Sequence, residues 1–225
     1  MKFIVIGLGY FGSTLAISLT EQGHEVIGID NKFERVDELK NQIGNVMEMD
    51  TTNENAVKTL PLNDTDAVIV AIGEDVGSSI LTLSILKKLN ANNIIGRIIS
   101  PMHKSILNQI GIENTVHPES ETAMMISLQL QVKNALKITE IDAENVIVEF
   151  KAPQKYVGHT LGTANLESRF KLRTVAIKSV EKKGLLSREQ TKTTIMPEDT
   201  YILHENDVVV VAGLLDNMKK FAAEQ

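Results

Sequence analysis

The stretch Phe3-Ile4-Val5-Ile6-Gly7-Leu8-Gly9-Tyr10-Phe11-Gly12 decides how the rest of the chain is interpreted. Apolar residues suited to a buried parallel strand run into a Gly-x-Gly-x-x-Gly pattern, and a helical pattern begins at Ser13. This is the context in which the pattern indicates a dinucleotide-binding turn. Gly7 is expected to make the tight turn, Gly9 to let the backbone approach a pyrophosphate, and Gly12 to let helix and strand pack closely. The phosphates would meet free N–H groups at the positive end of the helix.

A second predicted strand, residues 25–30, ends in an aspartate. Asp30 follows Gly12 by 18 residues, where this fold places the carboxylate that hydrogen-bonds an adenosine ribose 2′-OH. A carboxylate favours a free hydroxyl over a 2′-phosphate, so the sequence favours NAD or another adenine nucleotide over NADP. Asn31 and Lys32, which follow directly, complete the predicted ribose site. The alternative for Asp30 is a helix-capping or solvated residue.

Two further segments are predicted to line the ligand-binding crevice that the glycine loop and Asp30 begin. Asp50 ends a third strand and either contacts the adenine or ribose edge or is structural, since Thr51-x-x-Glu54 resembles a capping box. The most continuously apolar strand, residues 66–73, is expected at the sheet centre. Its carboxyl end lies where the strand order reverses. The predicted ligand contacts therefore include Tyr10, Phe11, Thr51, Ala71, Ile72, Gly73 and Glu74.

Arg97 interrupts a fifth apolar strand, residues 94–99. A buried arginine is costly unless it is paired or faces a phosphate. We therefore expect a ligand or interface role for Arg97, with an edge-facing arginine as the alternative.

The order of the elements predicts an α/β protein with two lobes. Six strand and helix units over residues 1–119 are typical of a Rossmann-like doubly wound parallel sheet. Residues 120–139 carry apolar residues at helical spacing and are predicted to form a connecting and dimerisation helix. Residues 140–225 are expected to form a second, smaller α/β lobe, with strands near 146–150, 173–180, 200–203 and 207–213 and a turn at 182–184.

Composition excludes several classes of protein. The chain has 225 residues, no cysteine and a net charge of −6. Disulfides and thiolate metal sites are therefore excluded, which fits a cytoplasmic setting. Neither half has the excess of lysine and arginine expected of a nucleic-acid binder. The N-terminus is not that of a signal peptide, and no apolar run approaches the roughly 20 residues of a membrane-spanning helix.

The sequence offers no convincing catalytic machinery. Hydride transfer needs a proton donor or acceptor near the nicotinamide, most often histidine. The five histidines fall in turns, loops or a helix start, and only His117 reaches a predicted sheet end. No Ser-His-Asp set, Tyr-x-x-x-Lys pair or histidine-rich metal spacing is present. We therefore predict a binding protein that is not an enzyme.

Together these segments resemble the cytosolic regulatory (RCK, or Trk/Ktr-type) subunits of bacterial potassium uptake systems. The resemblance covers the whole chain. It is carried by Ile4 to Gly12, Gly23-His24-Glu25-Val26, Val68-Ile69-Val70-Ala71-Ile72-Gly73, Arg97, Ile112-Glu113-Asn114-Thr115-Val116-His117-Pro118-Glu119, and Glu205-Asn206-Asp207-Val208-Val209-Val210-Val211-Ala212-Gly213. In combination these segments are far more specific than the glycine pattern alone.

The resemblance implies a homodimer that assembles into an octameric ring on a membrane potassium pore subunit. Adenine nucleotides (ADP, AMP, ATP or NAD(H)) bound in the N-lobe would shift the ring between two shapes and so gate the pore. The protein would lie in the cytoplasm at the inner face of the membrane, held there by its partner and not inserted itself.

The resemblance also implies roles for particular residues. Glu119 would lie near the nucleotide phosphates at the dimer interface and help hold a divalent or monovalent cation, since a carboxylate close to phosphate needs a metal between them. The alternative is a carboxylate that interacts with a helix dipole. In some relatives the C-lobe binds a cyclic dinucleotide, and the corresponding residues are Asn165, Arg169 and Lys171.

The chain departs from the family pattern at Tyr10. Relatives that respond to ATP often carry arginine in this loop. Tyrosine cannot neutralise a terminal phosphate, so we expect weak discrimination in favour of ATP and better binding of ADP, AMP or NAD(H). Two other functions stay open: a small NAD-dependent oxidoreductase and a free-standing nucleotide sensor without a pore.

Overall fold

A computed structural model describes residues 1–181 and 190–224. The chain divides into two compact units, Met1–Glu119 and Ser120–Gln225. The turn predicted at 182–184 lies outside the described residues. None of the helices in the described ranges is long and apolar enough to cross a membrane.

The first unit alternates strands and helices as the sequence predicts. Its strands are β1 (Lys2–Ile6), β2 (Glu25–Asp30), β3 (Asn45–Glu48), β4 (Ala67–Val70), β5 (Ile94–Arg97) and β6 (Thr115–Val116), and its helices are α1 (Tyr10–Glu21), α2 (Phe33–Leu39), α3 (Glu54–Val57), α4 (Val76–Lys88) and α5 (Pro101–Gln109). All pairings are parallel, in the order β3-β2-β1-β4-β5-β6. This confirms the Rossmann-like doubly wound sheet.

The strand order places the glycine loop in the middle of the sheet. β1 pairs with β2 on one side and with β4 on the other. The strand order therefore runs outward from β1 in one direction through β2 and β3 and in the other through β4 to β6. Ile4, Val5 and Ile6 are at most 1% exposed and contribute to apolar clusters on both faces of the sheet. The loop after Ile6 therefore opens at the carboxyl edge of the sheet, where doubly wound folds bind ligands.

The second unit is a smaller α/β unit built on an antiparallel sheet. It contains β7 (Ala135–Glu140), β8 (Asn145–Lys151), β9 (Arg173–Glu181), β10 (Gln190–Ile195) and β11 (Val208–Leu214), with helices α6 (Pro118–Gln131, which begins in the first unit), α7 (Leu161–Ala164), α8 (Leu166–Phe170) and α9 (Leu215–Ala223). The strand order is β10-β9-β11-β8-β7. Phe150, Phe170 and Phe221 pack edge to face in its core.

The helix predicted for residues 120–139 is shorter than expected. α6 ends at Gln131, and Asn134 has a left-handed backbone with φ of 59°. Residues 135–140 then form β7, in which Ile138 is 2% exposed and Leu136 is 53% exposed. Regular alternation would place these two residues on the same face, but the register of β7 against β8 shifts between Ala135 and Lys137, so Leu136 is exposed while Ile138 is buried. The strand predicted at 200–203 is also wrong, because the described structure there shows a single bridge between Thr160 and Ile202.

Candidate functional site

The three glycines of the loop differ in what surrounds them. Gly7 has φ of +91°, which disfavours any residue with a side chain, and a Cβ there would lie 2.9 Å from the backbone N of Ile72. A Cβ on Gly12 would lie 1.9 Å from the carbonyl oxygen of Gly7. Gly9 is open, since the nearest atom to its Cβ position is Arg35 Nη1 at 3.9 Å. The loop is therefore closed behind Gly7 and Gly12 and open at Gly9.

Helix α1 begins at this open position without a side-chain cap. Gly9 is its N-cap and has no side chain to offer, and no acidic residue lies in the first turn. The first N–H groups of a helix have no acceptor within the helix, and they form the positive end of its dipole. Such an end binds phosphate or another anion. Tyr10, the first helical residue, is 93% exposed and Phe11 lies beside it.

Asp30 is buried and ties the loop to the second strand. Its side chain is 3% exposed. Oδ2 accepts the N–H of Leu8 at 2.7 Å, and Oδ1 accepts the N–H of Lys32 at 2.9 Å. Arg35 Nη1 donates to Oδ2 at 3.3 Å. Three of about four acceptor positions of the carboxylate are therefore used inside the protein, which leaves one for a ligand hydroxyl.

Arg35, which the sequence analysis missed, bridges the two sides of the crevice. Its Nη2 donates to Glu74 Oε1 at 2.8 Å, and Lys32 Nζ lies 3.4 Å from Glu74 Oε2. These two cations, Arg35 above all, hold the pKa of Glu74 below its ordinary value. The ends of β2 and β4 are thus joined by ion pairs beside Gly9. The signal in the sequence was an arginine one turn into the helix that follows Asp30.

The carboxyl end of β4 forms the other wall. Ala71 is 3% exposed and Ile72 packs beside Gly7. Gly73 lies so close to Arg97 that a Cβ would be 2.7 Å from Arg97 Nη1. Ala71 and Ile72 therefore lie against the glycine loop, and Gly73 lies against Arg97.

Arg97 lies next to the loop and has an unused donor. Nη1 donates to the carbonyl of Ala71 at 3.3 Å, and the guanidinium lies 5.4 Å from the centre of the Phe11 ring. Nη2 donates to Glu119 Oε1. Nε is buried and has no hydrogen-bond partner. The expected pairing of this arginine is therefore present, with Glu119 as the partner.

Glu119, the predicted cation ligand, is half exposed and paired with Arg97. Its own backbone N–H is the largest influence that holds its pKa below the ordinary value, and Arg97 acts in the same direction. Within the described ranges, no group of three or more His, Asp or Glu side chains is arranged to hold a metal ion. A cation at Glu119 would need further ligands from a nucleotide or from a second copy of the chain.

The residues that follow the third strand make hydrogen bonds within the protein. Asp50 Oδ1 accepts both the N–H and the hydroxyl of Thr52, which lower its pKa. Thr51 is 6% exposed and its hydroxyl bonds to Thr82. The predicted capping box is wrong, because the N-cap of α3 is Asn53. Asp50 therefore has a local structural role here.

Asn31 is exposed between β2 and α2 and does not cap the helix, whose N-cap is Lys32.

The buried histidine of the first unit, His103, is unsuited to act as the proton donor or acceptor in hydride transfer. His103 is 1% exposed, neither ring nitrogen has a partner, and burial lowers its pKa.

The residues predicted to bind a second ligand surround α8 of the second unit. Asn165 precedes the helix and Lys171 follows it, both with left-handed backbone. Arg169 donates to the Tyr156 hydroxyl at 2.7 Å and to Glu224 at 2.9 Å. The Arg169 guanidinium thus pairs with Tyr156 and Glu224 of the same unit.

Two family models match the chain in succession. Residues 3–118 match the TrkA-N domain, and residues 145–225 match the TrkA-C domain. The Ktr system potassium uptake protein C of Bacillus subtilis (strain 168) is 32% identical over 220 residues, which cover 98% of this chain and 95% of that protein.

Solved structures with low sequence identity share the fold. The GsuK RCK domain superposes with a TM-score of 0.63 at 17% identity, covering 99% of this chain and 47% of the other. The GsuK channel bound to NAD gives 0.61 at 17% identity, covering 98% of this chain and 39% of the other. This chain thus spans less than half the length of these solved chains.

Proposed function

This chain belongs to the TrkA family, in which a TrkA-N domain precedes a TrkA-C domain, and we propose that it is the adenine-nucleotide-sensing regulatory subunit of a potassium uptake system. Its likeness to a Ktr potassium uptake protein extends over nearly the full length of both chains. The nucleotide would act by binding one conformation of the assembly better than another.

One observation carries the nucleotide proposal. The uncapped start of α1 at Gly9 opens at the carboxyl edge of the sheet, between the ends of β2 and β4. A pyrophosphate bound there would meet N–H groups, with Asp30 on the ribose side. The NAD-bound GsuK channel shares this fold, which supports a dinucleotide or mononucleotide as the ligand.

Gly9→Ala tests the site without disturbing the fold. The added Cβ meets no protein atom closer than 3.9 Å, and φ of −64° suits alanine. Alanine is a poorer N-cap than glycine by up to about 1 kcal/mol, so we expect a melting temperature within about 4 °C of the wild type. Binding of ADP or NAD(H), measured by calorimetry, is expected to weaken at least about tenfold, because the Cβ fills the approach to the pyrophosphate. Unchanged affinity would contradict the proposed phosphate site.

Tyr10 bears on which nucleotide is preferred. It is uncharged and 93% exposed at the start of α1, so it provides no cation for a terminal phosphate. We expect calorimetric titration to give ATP and ADP affinities within about tenfold of each other, and Tyr10→Arg to shift the ratio toward ATP. Tyr10→Phe is the control because it changes no charge. ATP binding more than about tenfold tighter than ADP to the wild type would contradict this proposal.

The resemblance implies a cation at Glu119, and the residues fit it only in part. Glu119 provides one carboxylate, and Arg97 already pairs with it. A cation there would depend on phosphate oxygens and on the same residue of a second copy. Glu119 would contribute a hard oxygen ligand, and Arg97 would be left to face the nucleotide.

Assembly and location complete the proposal. Met124, Met125, Ile126 and Leu130 of α6 are each at least 42% exposed, and α6 has no buried residue in the described chain. Such an apolar helix supports a homodimer contact within a larger ring at the cytoplasmic face of a membrane pore subunit. Co-purification with a pore subunit distinguishes this role from a free-standing sensor. Steady turnover of NADH with carbonyl substrates would favour an oxidoreductase instead.

A further inference from the structure

We propose that Glu74 gives the nucleotide site its selectivity for a ribose with a free 2′-hydroxyl, by neutralising Arg35 and Lys32 from across the crevice. The inference rests on the proposed adenine-nucleotide function and deepens it. Glu74 acts through the two cations and is a positioning residue.

Asp30 alone does not account for such selectivity. Its carboxylate is 3% exposed and accepts from Leu8, Lys32 and Arg35. Little of its negative charge is available to a bound ribose, because the Arg35 guanidinium donates a hydrogen bond to Oδ2. A 2′-phosphate approaching this edge would therefore meet a guanidinium and an ammonium close to the aspartate. Both are groups that bind phosphate well.

Glu74 changes that balance. Arg35 Nη2 lies 2.8 Å from one of its oxygens and Lys32 Nζ lies 3.4 Å from the other. With Asp30, the four side chains form a set of two cations and two anions with no net charge. A neutral set can hold a hydroxyl. A phosphate would have to displace Glu74 from both cations, and repulsion from the displaced carboxylate would oppose its binding.

Glu74 is suited to a role in the site and not in folding. Its side chain is 72% exposed, and it follows β4 in the loop before α4. Exposed ion pairs contribute little to stability. Substitution is therefore expected to leave the fold intact while it frees Arg35 and Lys32.

The test compares 5′-AMP with adenosine 2′,5′-bisphosphate by calorimetry. We expect the wild type to prefer 5′-AMP. Glu74→Gln is expected to raise the affinity for the bisphosphate, relative to that for 5′-AMP, about tenfold. Glu34→Gln is the matched control, since Glu34 is exposed on α2 and makes no ion pair in the described part of the chain. It should leave the ratio of the two affinities unchanged.

A double variant identifies the cation responsible. Glu74→Gln combined with Arg35→Ala is expected to lose most of the gain for the bisphosphate, which would show coupling between the two side chains. An unchanged affinity ratio in Glu74→Gln, with 5′-AMP still bound, would overturn the specificity proposal alone. If the wild type binds neither ligand, this proposal fails, and the proposed nucleotide function fails with it if ADP and NAD(H) are not bound either.

Discussion

Gly12→Ala is expected to destabilise the protein by about 3 kcal/mol or more, the largest effect of any single methyl group added to the glycine loop. The new Cβ would lie 1.9 Å from the carbonyl oxygen of Gly7 and 3.0 Å from the Cβ of Ala71. The first of these is a backbone atom, so no side-chain rotation relieves the clash. Helix α1 would have to move away from β1, at the centre of the sheet.

Urea unfolding followed by circular dichroism measures this effect, and Gly44→Ala is the control. A Cβ on Gly44 meets nothing within 4 Å, so that variant should unfold within about 0.5 kcal/mol of the wild type. Gly12→Ala with the stability of the control would show that the close packing of helix and strand is not needed.

The sequence was sufficient to predict those parts of the fold in which the strand pattern and the turn residues agree. Ile4 to Ile6 are buried on both faces of the sheet, and the glycine pattern follows them directly. The apolar run and the turn residues therefore predict the same strand and turn, and the burial of the strand agrees with them. The six parallel strands follow from the same agreement.

The second unit was harder to predict because its edge strands carry weaker signals. β10 consists of Gln-Thr-Lys-Thr-Thr-Ile and lies at one edge of the sheet. Its single large apolar residue, Ile195, is 75% exposed, so no buried face marks the strand. β7 lies at the other edge and follows α6 closely enough for its apolar residues to extend the helical pattern.

The contacts within the candidate site could be predicted only in part from the sequence. Gly9 and Asp30 follow from spacing, but the role of Arg35 depends on how far the end of β2 lies from Glu74. That distance is set by β1, which pairs with both β2 and β4. A sequence pattern gives the residues at each strand end and does not give the side chains that meet across them.

Asp30→Ala is expected both to weaken the binding of adenosine ligands and to destabilise the fold. The substitution removes the acceptor for the Leu8 and Lys32 N–H groups at 2.7 and 2.9 Å. It also leaves the Arg35 guanidinium, which is 28% exposed, without its buried partner. Loss of a buried charged acceptor gives an expected destabilisation of about 2 to 4 kcal/mol.

Urea unfolding and calorimetric titration of 5′-AMP on the same preparation separate the two effects. Asp37→Ala is the control, because Asp37 lies in α2, close in sequence to Asp30, and its ion pair with Lys40 is exposed. Its stability should change by less than about 0.5 kcal/mol. For Asp30→Ala we expect at least about a tenfold loss of affinity under conditions where the variant is folded. Wild-type stability with lost binding would mean that Asp30 serves the ligand alone. Lost stability with unchanged binding would mean that the ribose is held elsewhere and that Asp30 only anchors the loop to β2.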